Sequence, residues 1–396
     1  MNQPATAIAE NLSTTEFSVV VGGPFYRLWL RTGLAGPPLK RPLRRTLFFV
    51  LISWLPLLLL NSIHPQKLAT PFWGDLDVNV RLLFALPLLI FGELYNAVHL
   101  RAVVRQFVDR RIIATDTLPA FKAIIASTER LRDSWIPEAL ILVAAYTLGI
   151  WVWQSNHPLI ISTWYADLSG GSLHYTPAGY WFVFVTVPLF QFLTLRWLWR
   201  IALWYQFVWR VSRLPLRLNL FHPDSSGGLG FLERSTIAFA PILVAYSAVE
   251  AGLIGNRIWY AGARLAEFKM EIAGLAIFEA LLVLLPLTFF ITTLESAKWT
   301  SIREFGNLAS VYVEAFREKW IPGGMPEADG LLGNADLQSL ADLGHSYLFA
   351  RHIRPIPISK GMLVSLAALI VAPLLPLALT IMPVEQILER LVKVVL

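Results

Sequence analysis

Seven stretches of mostly apolar residues divide this chain: Thr46 to Ile63, Leu82 to Leu100, Pro137 to Ser155, Trp181 to Val208, Thr236 to Asn256, Glu271 to Leu294 and Gly361 to Met382. At about 1.5 Å per residue, each is long enough to cross a hydrocarbon core of about 30 Å. A backbone in lipid must satisfy its own hydrogen bonds, and a helix does so within one segment. The pattern predicts an all-α fold, a polytopic transmembrane helical bundle of about seven spans.

The polar positions organise the rest. Residues 1–45 read as an N-terminal cytoplasmic or interfacial segment, in which Phe17 to Leu34 mixes aromatics with Arg27 and Arg31 like an element lying in the headgroup layer. Residues 46–293 hold a six-span core, 294–360 a cytoplasmic helical segment, and 361–396 the seventh span with an amphipathic tail from Val384. No proline interrupts Arg101 to Arg111, Ile201 to Arg213 or Glu295 to Trp320, so spans two, four and six are expected to run on as helix. After a Gly/Pro loop, a second helix starts near Asn334, with Leu337, Leu340, Leu343 and Tyr347 at helical spacing to dock on its neighbour. Leu86-Pro87-Leu88 followed by Gln106-Phe107-Val108 is echoed by Val187-Pro188-Leu189 and Gln206-Phe207-Val208, the signature of an internal repeat.

Charge adds orientation. Arg27, Arg31, Lys40, Arg41, Arg44 and Arg45 precede span one, whereas the next loop offers Lys67 and Arg81 against Asp75 and Asp77, and Asn156 to Tyr180 has no Lys or Arg. The positive-inside rule then places the N-terminus in the cytoplasm and, after seven spans, the C-terminus in the periplasm. Arg257, Arg264 and Lys269 in an outer connection run against that rule. The chain is 56% hydrophobic over 396 residues, too apolar for an ordinary globular protein. Its +6 charge is spread by loop instead of gathered in one patch, which argues against a nucleic-acid partner. There is no cysteine, hence no disulfide or thiolate metal site, and no motif asks for a cofactor. The excess of Arg over Lys and the short loops suit a bacterial inner membrane.

Ionisable residues inside spans are expensive and mark candidate sites. Glu93, Asn96 and His99 recur every three residues along span two, and span four carries Arg196 and Arg200. Aligning the spans on Pro87 and Pro188 brings Glu93 within about a turn of Arg196, so an intramembrane ion pair is expected. Glu250 and Glu279 sit symmetrically about the connection of spans five and six, two carboxyls that should not both be ionised unless Arg257 or Lys269 neutralises them. The densest polar motif runs from Asn219 to Leu232. Gly227, Gly228 and Gly230 could present amides to an anion with Arg213, Arg217 and Arg234 beside them, and His222 and Asp224 form a candidate acid/base pair. The alternative is a tight turn started by Pro223 and Asp224.

This His-Pro-Asp-x-x-Gly-Gly-Leu-Gly loop, with Val20 to Arg27 and Arg354-Pro355-Ile356-Pro357, resembles uncharacterised bacterial multi-pass inner-membrane proteins, a resemblance that brings no activity with it. The His-Pro-Asp tripeptide also occurs in J-domain co-chaperones, whose soluble helical surroundings are missing here. The leading expectation is a transporter or channel-like protein for a small solute, an anion among the candidates, using the intramembrane polar site. A membrane sensor, scaffold or complex subunit is the alternative. A membrane enzyme acting on a lipid or isoprenoid phosphate through His222 and Asp224 stands third, and an enzymatic role is the less favoured reading. The partners expected are membrane lipids and an unidentified small solute, and a homo-oligomer is compatible with the pattern.

Overall fold

A computed structural model of the protein describes residues 17–36, 39–63, 71–151, 155, 163–167, 174–219, 222–321 and 335–380. The Gly/Pro loop with Asn334 and the tail from Val384 lie outside these residues. In chain order the helices are α1 (Pro24–Arg31), α2 (Pro42–Ile63), α3 (Leu76–Asp109), α4 (Leu118–Asp133), α5 (Trp135–Gly149), α6 (Pro177–Ser212), α7 (Leu229–Ala238), α8 (Ala240–Ala261), α9 (Leu265–Trp320), α10 (Ala335–Arg351) and α11 (Lys360–Ala378). A two-stranded antiparallel ribbon, β1 (Ala166–Asp167) and β2 (His174–Tyr175), precedes α6.

Five helices, α2, α3, α6, α9 and α11, are long and apolar enough to cross a membrane, and α7 with α8, bent by 42°, makes up to six. The fold is thus an all-α bundle that fits an integral membrane protein. The remaining apolar stretch of the sequence corresponds to α5, a shorter helix of 10–17 residues.

Two antiparallel hairpins, α2 with α3 and α5 with α6, repeat one local design. Asp75 and Thr176 cap α3 and α6, accepting hydrogen bonds from the amides of Val78 and Gly179. Each helix then passes through a π-turn, Arg81–Ala85 or Phe182–Thr186, and meets Pro87 or Pro188 at the same spacing. Proline removes a donor and crowds the carbonyl four residues back. The wider turn relieves that crowding, with the amides of Leu86 and Val187 reaching the carbonyls of Arg81 and Phe182. Trp164 joins the two caps: its indole donates to Asp75 at 2.8 Å and its carbonyl accepts from Thr176 at 3.0 Å.

At that same face α8 closes on the start of α3. Asn256 donates to Asp75 at 2.7 Å and accepts from the Leu76 amide at 2.8 Å. Gly252 permits the approach, since a Cβ there would lie 3.0 Å from both the Leu76 carbonyl and the Asp77 Cα. At the other face Phe17, Phe107, Phe121, Phe207 and Phe231 interlock, tying the ends of α3 and α6 to α4 and α7, with Phe17 and Phe207 centroids 4.6 Å apart.

The helical extensions read from the sequence are present: α3 continues to Asp109, α6 to Ser212 and α9 to Trp320. From Lys298, which donates to the Ile353 carbonyl at 3.1 Å, α9 runs about 33 Å to its end. There Lys319 and Trp320 donate to Asp336 at 2.8 and 3.2 Å. Leu340, Leu343 and Tyr347 are half-buried on α10, while Leu337 is exposed.

Replacing Gly252 with Leu should cost about 1–3 kcal/mol of stability through overpacking against backbone. Thermal unfolding in detergent checks this, and wild-type stability in that variant would show that α8 does not close on α3.

Candidate functional site

Five charged side chains meet where the two hairpins start and end. Arg45 is the fourth residue of α2, Glu138 the fourth of α5, and Glu93 lies about 26 Å of helix from the start of α3. The charged layer therefore sits at one edge of the apolar spans, with α3 and α6 continuing beyond it.

Glu93 is the centre. Its Oε2 accepts from Arg45 at 2.5 Å, and its Oε1 accepts from Arg200 at 2.5 Å and Arg196 at 3.1 Å. Arg196 also donates through Nε to Glu138 Oε1 at 3.1 Å, and Glu138 Oε2 accepts the Phe25 amide at 2.7 Å. Glu93, Arg45, Arg196 and Arg200 are all buried. Burial of this many charges is tolerable because every carboxylate oxygen is taken and every guanidinium lies over a ring. Arg45 lies 4.8 Å and Arg196 4.9 Å from the Trp29 centroid, and Arg200 lies 5.0 Å from that of Trp197. Three guanidiniums against two carboxylates leave one positive charge in excess, and Arg45 Nε and Nη2 have no hydrogen-bond partner.

The cluster contains the Glu93, Arg196 and Arg200 of the sequence reading but not the rest of its polar strip. Asn96 donates to the Ala238 carbonyl at 3.0 Å, the last carbonyl of α7 before the bend at Phe239. His99 turns away: its ring stacks on Tyr95 at 3.9 Å and Nδ1 lies 2.8 Å from the Tyr95 carbonyl. Arg45 and Glu138 escaped sequence reasoning because charges in the first turn of a span are ordinary interfacial residues. Their one signal was position, since each is the fourth residue of the helix that opens a hairpin.

Glu279, fully buried, accepts from Ser247 at 3.0 Å through Oε2, and its Oε1 has no partner. Glu250 lies in a different electrostatic setting, with Glu271, Arg257, Asp77 and Arg81 as its charged neighbours. The two carboxyls therefore have separate surroundings, and Arg257 pairs with Glu271 at 3.3 Å.

The His222 to Gly230 loop is filled from within. Asp224 accepts the amides of Ser226 at 2.9 Å, Gly228 at 3.1 Å and Gly230 at 2.8 Å. The amides that an external anion would need at Gly228 and Gly230 are thus occupied by the chain's own carboxylate. Gly228 adopts φ +92°, left-handed backbone that this wrap requires and that a Cβ would strain. Burial raises the Asp224 pKa, but the three amides and the nearby His222 outweigh it and hold the carboxyl below its ordinary range. His222 Nδ1 is 3.1 Å from Asp224 Oδ1. The loop also ties distant segments: the Arg354 amide donates to the Ser225 carbonyl at 2.8 Å, Arg110 donates to the Gly228 carbonyl at 3.1 Å, and Glu233 accepts the Ser359 amide at 3.1 Å.

No family model, curated protein or solved structure matches this chain. What the site can do therefore rests on its geometry. The Glu93 cluster binds helices together, and both Glu93 oxygens are committed to arginines. Beside it, an open groove of about 460 Å³ runs between α1, α5 and α6 and includes Glu138 in its lining.

Glu93→Gln should cost about 3–5 kcal/mol, because it strands the buried guanidiniums of Arg45 and Arg200 and leaves Arg196 with Glu138 alone. Arg45→Met should cost far less, since it removes the excess charge together with the two unpartnered nitrogens. Unfolding of both variants in the same detergent checks the ranking, and equal losses would show that net charge does not govern the cluster.

Asp224→Asn should cost about 1–3 kcal/mol near pH 7, because an amide cannot accept all three N–H groups. A depressed carboxyl pKa stabilises above the unfolded value of about 3.9 and stops doing so as pH falls through the folded value. The difference between wild type and variant should accordingly shrink below about pH 4, and His222→Ala should be the milder change at pH 7. A pH-independent difference would refute the amide wrap as its cause.

Proposed function

We propose that this protein is a non-catalytic integral membrane scaffold or complex subunit, built on a charge-locked bundle that holds the α9 and α10 hairpin out from the membrane. The observation that carries this reading is the hairpin itself. It is pinned at its base by Lys298 and at its tip by Asp336, and it leaves Leu308, Val311 and Ile321 exposed, Val311 by 67%. Exposed apolar side chains on a rigid helix outside the apolar layer fit a protein partner. The saturated Glu93 cluster fits a static support better than a solute site, because a ligand would have to displace ionic hydrogen bonds from a buried carboxylate.

The arrangement proposed is seven crossings in a bacterial inner membrane, α5 being the third, with the basic face cytoplasmic. Six basic and no acidic residues between Phe17 and Arg45 support that orientation. A reporter fused after Ser172 should read outside and one after Gly330 inside.

A second reading, a carrier, is favoured by the unpartnered Oε1 of Glu279 inside the bundle. One experiment separates the two. The chain has no cysteine, so Ser247→Cys gives a single thiol at a fully buried position beside Glu279. A scaffold should leave it unlabelled by water-soluble thiol reagents in intact membranes, whereas labelling from both sides supports a carrier. For the scaffold itself, protein extracted from host membranes in mild detergent should run well above its 44.5 kDa chain mass. Leu308→Glu with Val311→Glu should return it to the chain mass without changing its unfolding temperature. A wild type that runs as a lone chain overturns the proposal.

A further inference from the structure

We propose that the groove between α1, α5 and α6 is a seat for one anionic phospholipid, its acyl chain in the groove and its phosphate on Arg31 and Arg27. The volume, about 460 Å³, lies within the range of about 300–1,000 Å³ usual for ligand sites. Its direction selects the occupant. The groove starts at the charged layer with Leu28 and Trp135 and descends along α5 past Leu142 to Tyr146, about 12 Å beyond Glu138. It follows the span axis and is open at the side, as an acyl chain entering from the bilayer requires. Trp135 is 67% exposed at the upper end, the position of an interfacial tryptophan.

Charge complementarity selects the headgroup. On α1, Pro24 and Leu28 line the groove, and Arg31 follows them at i+7 and i+3, on the same helix face. Arg27 and Arg31 are exposed; Arg27 lies near the Asp133 carboxylate, while Arg31 forms no ion pair among the described residues. Tyr26 and Trp29 anchor the opposite face of α1 in the core, Trp29 beneath Arg45 and Arg196, so the two exposed arginines are held at the groove's mouth instead of floating on a loop. The carboxylate lining the groove does not repel a phosphate, because both Glu138 oxygens are taken by Arg196 and the Phe25 amide. On the other flank of α5 lies a second apolar groove, lined by Ala144, Leu195 and Trp199 among others.

The test is lipid retention by the full-length protein released from vesicles of mixed phosphatidylglycerol and phosphatidylcholine, read by native mass spectrometry. Wild type should keep one phosphatidylglycerol in preference to phosphatidylcholine. Arg27→Gln with Arg31→Gln should weaken that preference roughly thirtyfold, two surface arginines being removed. Ala139→Leu, which fills the groove, should reduce retention of both lipids, and Ala144→Leu in the second groove should change neither. If the arginine variant does not fold, rising salt should erode the wild-type preference in the same way. Equal retention of the two lipids by wild type, or a preference untouched by both salt and Ala139→Leu, overturns the proposal. None of these outcomes depends on the scaffold reading.

Discussion

A carboxylate cannot be buried alone, and Glu93 organises the bundle because of that. Its two oxygens draw one arginine from α2 and two from α6, and Arg196 in turn fixes Glu138 on α5. Four helices from two hairpins are therefore held at one depth by five side chains. Desolvating so many charges is costly, and the gain is specificity of arrangement more than raw stability. A slip of α3 by one turn along its neighbours would part Glu93 from all three arginines.

The two hairpins solve this problem with opposite signs. In the first, an arginine opens the entering helix and meets a glutamate on the returning one; in the second, a glutamate opens the entering helix and meets an arginine on the returning one. Each of these two pairs is neutral, and Arg200 on α6 supplies the one positive charge in excess. The cross-contacts from Glu93 to Arg196 and Arg200 then join the hairpins. At the far face hydrogen bonds join the hairpins instead, with Trp164 linking the Asp75 and Thr176 caps. The structural repeat is thus enforced at both ends of the spans, by ions at one and by hydrogen bonds at the other.

Much of this was legible in the sequence. Apolar length gave the long helices and their unbroken extensions, and the Pro87 and Pro188 echo marked the π-turns and caps that the structure repeats. Aligning those prolines brought Glu93 near Arg196. Arg45 and Glu138 were hidden by their positions, because the first turn of a span is where charges normally face water. The third stretch, Pro137 to Ser155, corresponds to α5, a helix shorter than the candidate spans. For the glycine loop, residue types could say that amides would be presented but not to what. Whether an anion or a side chain fills such a wrap depends on a rotamer, and here Asp224 folds back six residues along its own chain to reach Gly230.

The filled loop and the saturated cluster have a common consequence. Both are polar groupings of the kind that bind ligands, and in both the chain supplies the counter-charge itself. Asp224 stands where an anion would sit, and the arginines at the hairpin ends are answered by Glu93 and Glu138. A polar site closed by its own residues confers rigidity, since opening it exposes unmatched charge to an apolar surround. Rigidity at these two points bears on the same elements. The cluster fixes α3 and α6, whose ends pack on α4 and α7, while the loop fixes the start of α7 to the segment leading from α10 into α11. The base of the hairpin, where Lys298 donates to the Ile353 carbonyl, is therefore referenced through the backbone bond from the Arg354 amide to the Ser225 carbonyl to a strongly held part of the bundle. A hairpin mounted that way reports its position faithfully to whatever contacts it, a property that a support requires and a freely moving gate would lose.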